Sequence, residues 1–205
     1  MNIITRSIAI QNLKKYIGQD LRKLALEYKV TTFETGKQNK GWKGLVLERL
    51  AGLSNNNSKA PNGLGYELKS VSFYNKNGIL SPKETMAITM INPKELIEED
   101  FFNSHCWAKL KTIVFCAVAW HGKNAQNAEL LKVVSLDFSE TDELIMEIKA
   151  DYDFIRNKLI TQGFKSLTGK DGKWIQARTK GSKNSTTRAF YSRPKLVAKI
   201  FELAN

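Results

Sequence analysis

Apolar and polar positions recur with different periods along the chain, and the period predicts each element. From Asp20 to Val30, Leu21, Leu24, Ala25 and Tyr28 fall at helical spacing, a short amphipathic helix. Gly41 to Leu53 predicts a second, with Trp42, Leu45, Val46, Leu50 and Leu53 on one broad stripe. Thr31 to Asn39 is polar and irregular, and Ser54 to Ser58 is a polar loop without a core-forming residue. Leu64–Tyr74 and Thr85–Ile91 read as strands separated by the turn-rich stretch Asn75–Pro82. Thr112–Trp120 is apolar and β-branched at its start, which predicts a strand buried on both faces. Leu130–Phe138 is a fourth strand. Ser139 is expected to cap a long helix in which Leu144, Ile145, Ile148, Tyr152, Ile155 and Leu159 hold the 3.6 period. A short strand at Trp174–Ala177, a polar loop at Thr179–Thr187 and a closing helix from Pro194 complete the order. No internal repeat is visible. This order predicts a mixed sheet flanked by helices, an α/β or α+β architecture.

Composition narrows the class. A chain of 205 residues, 42% hydrophobic and 25% charged, predicts one globular domain, or one domain with two lobes around a cleft. The longest apolar run, Ile113–Trp120, is far short of the ~20 residues that span a bilayer. The opening residues, with Asn2, Thr5, Arg6 and Ser7, lack the apolar core of a signal peptide. Cys106 and Cys116 are too few for a disulfide scaffold or a multi-cysteine zinc site. The expectation is a soluble cytoplasmic protein with reduced thiols.

Charge adds a partner. Lys and Arg number 32 against 20 Asp and Glu, a net charge of +12. Residues 1–94 hold 15 basic and 6 acidic side chains, residues 95–153 hold 5 and 12, and residues 154–205 hold 12 and 2. Two basic segments flank an acidic one, which points to a polyanion, foremost nucleic acid. Phe164, Trp174, Phe190, Tyr191 and Leu196 interleave the last basic segment, so it is folded and not a tail.

Candidate chemistry lies in Pro61-Asn62-Gly63-Leu64-Gly65-Tyr66-Glu67-Leu68-Lys69. Residues two apart on a strand share a face, so Glu67 and Lys69 project together. A carboxylate beside an ammonium suits metal-dependent phosphodiester hydrolysis: the carboxylate holds Mg²⁺, while the lysine orients or activates water and steadies developing charge. An acid upstream would complete the site, and Asn62 stands there. Asp142, Glu147 and Lys149 repeat the same spacing, but within a helical period. There Glu147 and Lys149 lie ~200° apart around the axis and cannot share a metal.

The stretch Lys40-Gly41-Trp42-Lys43-Gly44-Leu45-Val46-Leu47-Glu48, followed by the polar loop and Leu64–Ser70, resembles the core of the MutH family. That family unites the mismatch-repair nicking endonuclease with related type II restriction endonucleases. The resemblance continues through Lys83-Glu84-Thr85, Ser104–Lys111, Ile175–Lys180 and Ala189-Phe190-Tyr191, roughly residues 39 to 203 in order. It implies a PD-(D/E)xK fold with two lobes around a DNA cleft, a catalytic lobe at roughly 1–125 and a DNA-reading lobe at roughly 154–205. It implies Mg²⁺-dependent hydrolysis of double-stranded DNA, with Glu67 a metal ligand, Lys69 the catalytic lysine, Glu48 a helix carboxylate near the metal and Lys109 a second active-site lysine. Gly44 and Gly52, one turn either side of Glu48, leave a stripe without bulk where a strand or phosphate could approach.

Asn62 departs from the pattern. An amide oxygen coordinates a hard cation but lacks the charge that concentrates it. Three alternatives stand: catalysis with asparagine at the metal, a form that binds DNA without cutting, or a carboxylate from elsewhere. His105 is a possible base but needs no special role, and a structural role is expected of it; His121 beside Gly122 reads as a turn residue.

For DNA contact, the resemblance places Arg178, Lys180 and Tyr191 at the duplex. Lys183 and Arg188 lie in a loop suited to base readout, Lys59 in the asparagine loop is a phosphate candidate, and Lys40 opens the resembling block. The expected function is a sequence-specific restriction endonuclease of type II, which would pair with a cognate methyltransferase. The alternatives are a mismatch-repair nicking enzyme and a cleavage-inactive DNA-binding form.

Overall fold

In a computed structural model describing residues 4–34, 37–39, 41–54, 61–122, 127–181 and 185–204, the chain opens with three helices. These are α1 (Arg6–Lys14), α2 (Leu21–Glu27) and α3 (Trp42–Ala51), with the two-residue strands β1 (Phe33–Glu34) and β2 (Lys37–Gln38) before α3. β3 (Glu67–Lys76), β4 (Ile79–Pro82) and β5 (Met86–Met90) follow, then α4 (Pro93–Glu98) and α5 (His105–Leu110). β6 (Thr112–Ala119), β7 (Leu130–Asp137) and the long α6 (Glu143–Gln162) come next, and β8 (Ile175–Thr179), β9 (Arg188–Ser192) and α7 (Pro194–Leu203) close the chain.

The strands form a mixed sheet in the order β4-β3-β6-β7 and a smaller antiparallel sheet in the order β5-β9-β8. β3 and β6 run parallel, from Glu67 opposite Ile113 to Phe73 opposite Ala119. The β3–β4 hairpin turns through Asn77 (φ 53°) and Gly78 (φ 83°), the left-handed pair a tight hairpin turn requires. One face of the main sheet is covered by α1–α3, where Leu13, Leu21, Trp42, Val46 and Leu47 cluster with Val114, Cys116 and Val118. On the other, Phe73, Ile113 and Phe115 join the cluster of Trp107, Ile148, Tyr152, Phe190 and Phe201. β6 is therefore buried on both faces, and its unbroken apolar run follows from that position. The product is an α+β fold with a mixed sheet flanked by helices, as a restriction-endonuclease-like fold requires.

The segment before β8 is tied down from two sides. Asp151 of α6 is buried and accepts backbone N–H bonds from Lys173, Trp174 and Ile175. The Arg193 guanidinium donates to the carbonyls of Gly169, Asp171 and Gly172. Gly172 has φ 79°, and a Cβ there would lie 2.0 Å from the Ile175 oxygen, so only glycine fits.

Several local expectations are corrected. Asp142, not Ser139, is the N-cap residue of α6, and the Ser139 N–H donates to the Asp142 carboxylate. The turn-rich stretch 75–82 includes β4. Arg188–Ser192 is a strand, because Ala189 and Phe190 are buried between β5 and β8. α1, α4 and α5 are elements that the hydrophobic pattern did not announce, and the stretch Thr31–Asn39, expected to be irregular, holds β1 and β2. Gly52 is not part of an open stripe: it caps α3 in the left-handed region (φ 87°), against Ile4.

Candidate active site

The turn entering β3 is built around a close approach. Tyr66 is fully buried, and its hydroxyl donates to the Ile4 carbonyl at 3.3 Å. Gly63 donates its N–H to the Tyr66 carbonyl at 3.0 Å, and a Cβ on Gly63 would sit 2.1 Å from the Tyr66 ring. No side chain is tolerated there, and Gly65 adds a left-handed φ of 73°. The turn folds back and carries Asn62 to the start of the strand.

Asn62 bridges two carboxylates. Its N–H donates to Glu67 Oε2 at 3.0 Å, and its Nδ2 donates to Glu48 Oε1 at 3.1 Å. Its Oδ1 accepts the Leu68 N–H at 3.3 Å. α3 delivers Glu48 from its last turns. Glu67, buried, also accepts Lys69 Nζ at 2.7 Å and Lys109 Nζ at 3.4 Å through Oε1. Lys69 reaches across to the smaller sheet, donating to the Ile88 carbonyl at 3.3 Å beside the bulge between Ala87 and Thr89. Lys109 rises from α5, whose first turn is fixed by Ser104 accepting the Trp107 N–H. The structure thus brings together all five residues expected at the catalytic centre.

The electrostatics are uneven. Burial, and then the charge of Glu67, raise the Glu48 carboxyl above its ordinary range, with Lys69, Lys109 and Asn62 opposing. Burial pushes the Lys69 ammonium down; Glu67 supports its charge, while Lys109 and Lys180 oppose it. The two carboxylates supply hard oxygen donors of the kind a divalent cation takes, and burial more than like charge sets the upward shift of Glu48. Glu48 and Glu67 are thus the carboxylates that could hold a divalent cation, whereas Asn62 turns its amide nitrogen to Glu48 and its oxygen to the Leu68 N–H. Among the described residues, no group of three or more His, Cys, Asp or Glu side chains could hold a metal ion.

Beside the centre, a cleft of about 300 Å³ is lined by Lys69, His105, Lys109 and Lys180, with one acid, Glu95, and residues 87–92. The lysines make it cationic, suited to an anion. The Ile88 carbonyl and the Tyr66 ring were not foreseen; the first depends on a bulge and the second on a turn, neither of which leaves a residue pattern.

The repeated spacing in α6 lies apart. Lys149 pairs with Asp153 at 2.5 Å, and Glu147 pairs with Lys173 and accepts Trp174 Nε1 on the surface. Of the DNA-contact candidates, Lys180 lines the cleft. Arg178, exposed, stacks over Tyr191 at 5.0 Å and donates to Thr85. Arg188 directs its guanidinium to the carbonyls of Leu167, Thr186 and Thr187. Lys40, Lys59 and Lys183 lie outside the described residues.

Residues 51–151 match the family described as DNA mismatch repair enzyme MutH. No curated protein sequence matches the chain. The matched region contains Asn62, Glu67, Lys69 and Lys109 and ends within α6.

Proposed function

We propose that this MutH-like DNA endonuclease of the PD-(D/E)xK branch is a Mg²⁺-dependent enzyme of restriction type that cuts double-stranded DNA at its own recognition sequence. The observation that carries the reading is the convergence on Glu67 of Lys69, Lys109 and Asn62, with Glu48 one hydrogen bond away. Glu48 and Glu67 would hold the cation, which would supply Lewis-acid polarisation of the scissile phosphate and its attacking water. Lys69 is set to orient that water, and its ammonium would steady the charge on the phosphate as the water oxygen bonds to phosphorus and the bond to the leaving oxygen breaks. Lys109 holds the Glu67 carboxylate in place and balances its charge.

Arg178, Lys180 and Tyr191 would meet the duplex from the smaller sheet, with a catalytic lobe at roughly 1–125 facing a reading lobe at roughly 154–205. No helix among the described residues is long and apolar enough to cross a membrane, and a cytoplasmic enzyme with a cognate methyltransferase accords with a restriction role. A second reading is a mismatch-repair nicking enzyme, favoured by the description of the matched family. A third, favoured by Asn62, binds its site and cuts poorly. Supercoiled plasmid separates them. Linear product with Mg²⁺ supports restriction, nicked circles that need a partner ATPase support the repair role, and binding without cleavage supports the third.

A further inference from the structure

α3 carries Glu48 near one end, and at its other end three cations gather. Arg22 of α2 places its guanidinium 5.2 Å from the Trp42 ring, and its Nε is buried without a hydrogen-bond partner. Lys43 donates Nζ to Ser72 Oγ at 2.8 Å and lies 5.8 Å from the Trp120 ring. Lys83 sits 3.8 Å over the same ring. The acid that offsets them is Glu84, half-exposed and 3.9 Å from Lys83. The Lys43 ammonium is pushed below its ordinary range by burial; Glu84 opposes that shift, and the charges of Lys83 and Arg22 add to it. α3 also starts without a side-chain cap, so the positive end of its dipole faces this region.

Among the described residues the carboxylate paired at these three cations is the half-exposed Glu84 on Lys83, which leaves Arg22 and Lys43, both partly buried, able to take a further anion. We propose that Arg22, Lys43 and Lys83, flanked by Trp42 and Trp120, form an anion site that takes a backbone phosphate of duplex DNA away from the cut. The proposal rests on the nuclease reading. Ser72 lies five residues beyond Glu67 on β3, about 16 Å at the rise of a strand. The site is therefore set back from the catalytic centre, so the phosphate held here is not the scissile one.

The test compares the wild-type chain, Arg22→Met/Lys43→Met and Glu84→Gln, by duplex binding across salt and by titration with inorganic phosphate. Methionine keeps the buried stems packed. Losing one phosphate contact should flatten the slope of log affinity against log salt by about 0.9, so the fall in affinity between 50 and 200 mM salt shrinks about 3.5-fold. A duplex of about 8 base pairs centred on the cut, spanning roughly 27 Å, should show less of this difference than one of about 30. Glu84→Gln should tighten duplex binding, a gain that misfolding cannot mimic. An unchanged slope with unchanged Glu84→Gln affinity overturns the proposal. So does loss of inorganic phosphate binding in the double variant with an unchanged duplex slope, which would assign the site to a free anion. A wild-type chain that fails to bind any duplex overturns the nuclease reading itself, a result distinct from an unaltered slope.

Discussion

Replacing Asn62 with aspartate removes one hydrogen bond and adds one charge at the point where Glu48 and Glu67 meet. The Asn62 Nδ2–Glu48 bond has a charged acceptor, and such bonds contribute about 1.5–3 kcal/mol. A carboxylate in its place faces Glu48 at similar range, where like charges 4 Å apart repel by about 4 kcal/mol at an effective dielectric of 20. Rotation and proton uptake relieve much of that repulsion, which leaves a net loss of about 2–3 kcal/mol without cation. For a chain of this size each kcal/mol moves Tm by about 2–4 °C, so Asn62→Asp should melt roughly 4–12 °C lower in EDTA. Mg²⁺ should narrow the gap by about 1.3 kcal/mol. At 100 times its Kd a bound cation adds about 2.7 kcal/mol, whereas a tenfold weaker site gains about 1.4 kcal/mol at the same concentration. The assay is thermal melting in EDTA and across a Mg²⁺ titration, with plasmid cleavage on the same samples. Cleavage at sub-saturating Mg²⁺ should rise at least about tenfold in the aspartate variant, the factor that 1.4 kcal/mol represents. Equal melting in EDTA, equal response to Mg²⁺ and equal cleavage would refute the reasoning and move the cation away from position 62.

Gly63→Ala should drive its Cβ into Tyr66, costing about 1–3 kcal/mol by overpacking and lowering activity through displaced Asn62; melting and cleavage measured together check both. Glu67→Ala or Lys69→Ala in the Asn62→Asp background should abolish cleavage, whereas Glu147→Ala, which loses only surface contacts to Lys173 and Trp174, should retain it. The Asp171 carboxyl is raised by burial but brought below its ordinary value by hydrogen bonds from Lys158 and Thr168. Its contribution is therefore complete above the unfolded value of 3.8 and is lost as pH falls through the lower folded value. Acid unfolding of Asp171→Asn should accordingly show a shallower decline below pH 3.8, and identical acid limbs would count against the pairing.

The legible parts of the fold are those where one period dominates. α3 shows its stripe because Trp42, Val46, Leu47 and Leu50 all face the same core, and β6 shows an apolar run because both its faces are covered. Glu67 and Lys69 meet as the two-residue period requires. α1 stayed hidden because it buries only Ala9 and Leu13 beside polar neighbours. β9 was masked by its flanking arginines, and the α6 cap by two competing polar residues within one turn. The approach of Lys109 to Glu67 depends on the path through α4 and α5, which no local pattern encodes.

The closed turn at Gly63 also governs the covalent identity of its neighbour. An asparagine followed by glycine loses its amide when the glycine nitrogen attacks the side-chain carbonyl carbon, and the resulting ring opens to an acid. Here the Gly63 N–H is engaged by the Tyr66 carbonyl, and the Asn62 amide is held at both of its ends. The attack geometry is reached only when that turn opens. Chemical ageing at this position is thus coupled to local unfolding, and a sample stored in denaturant should acquire the carboxylate faster than one stored folded.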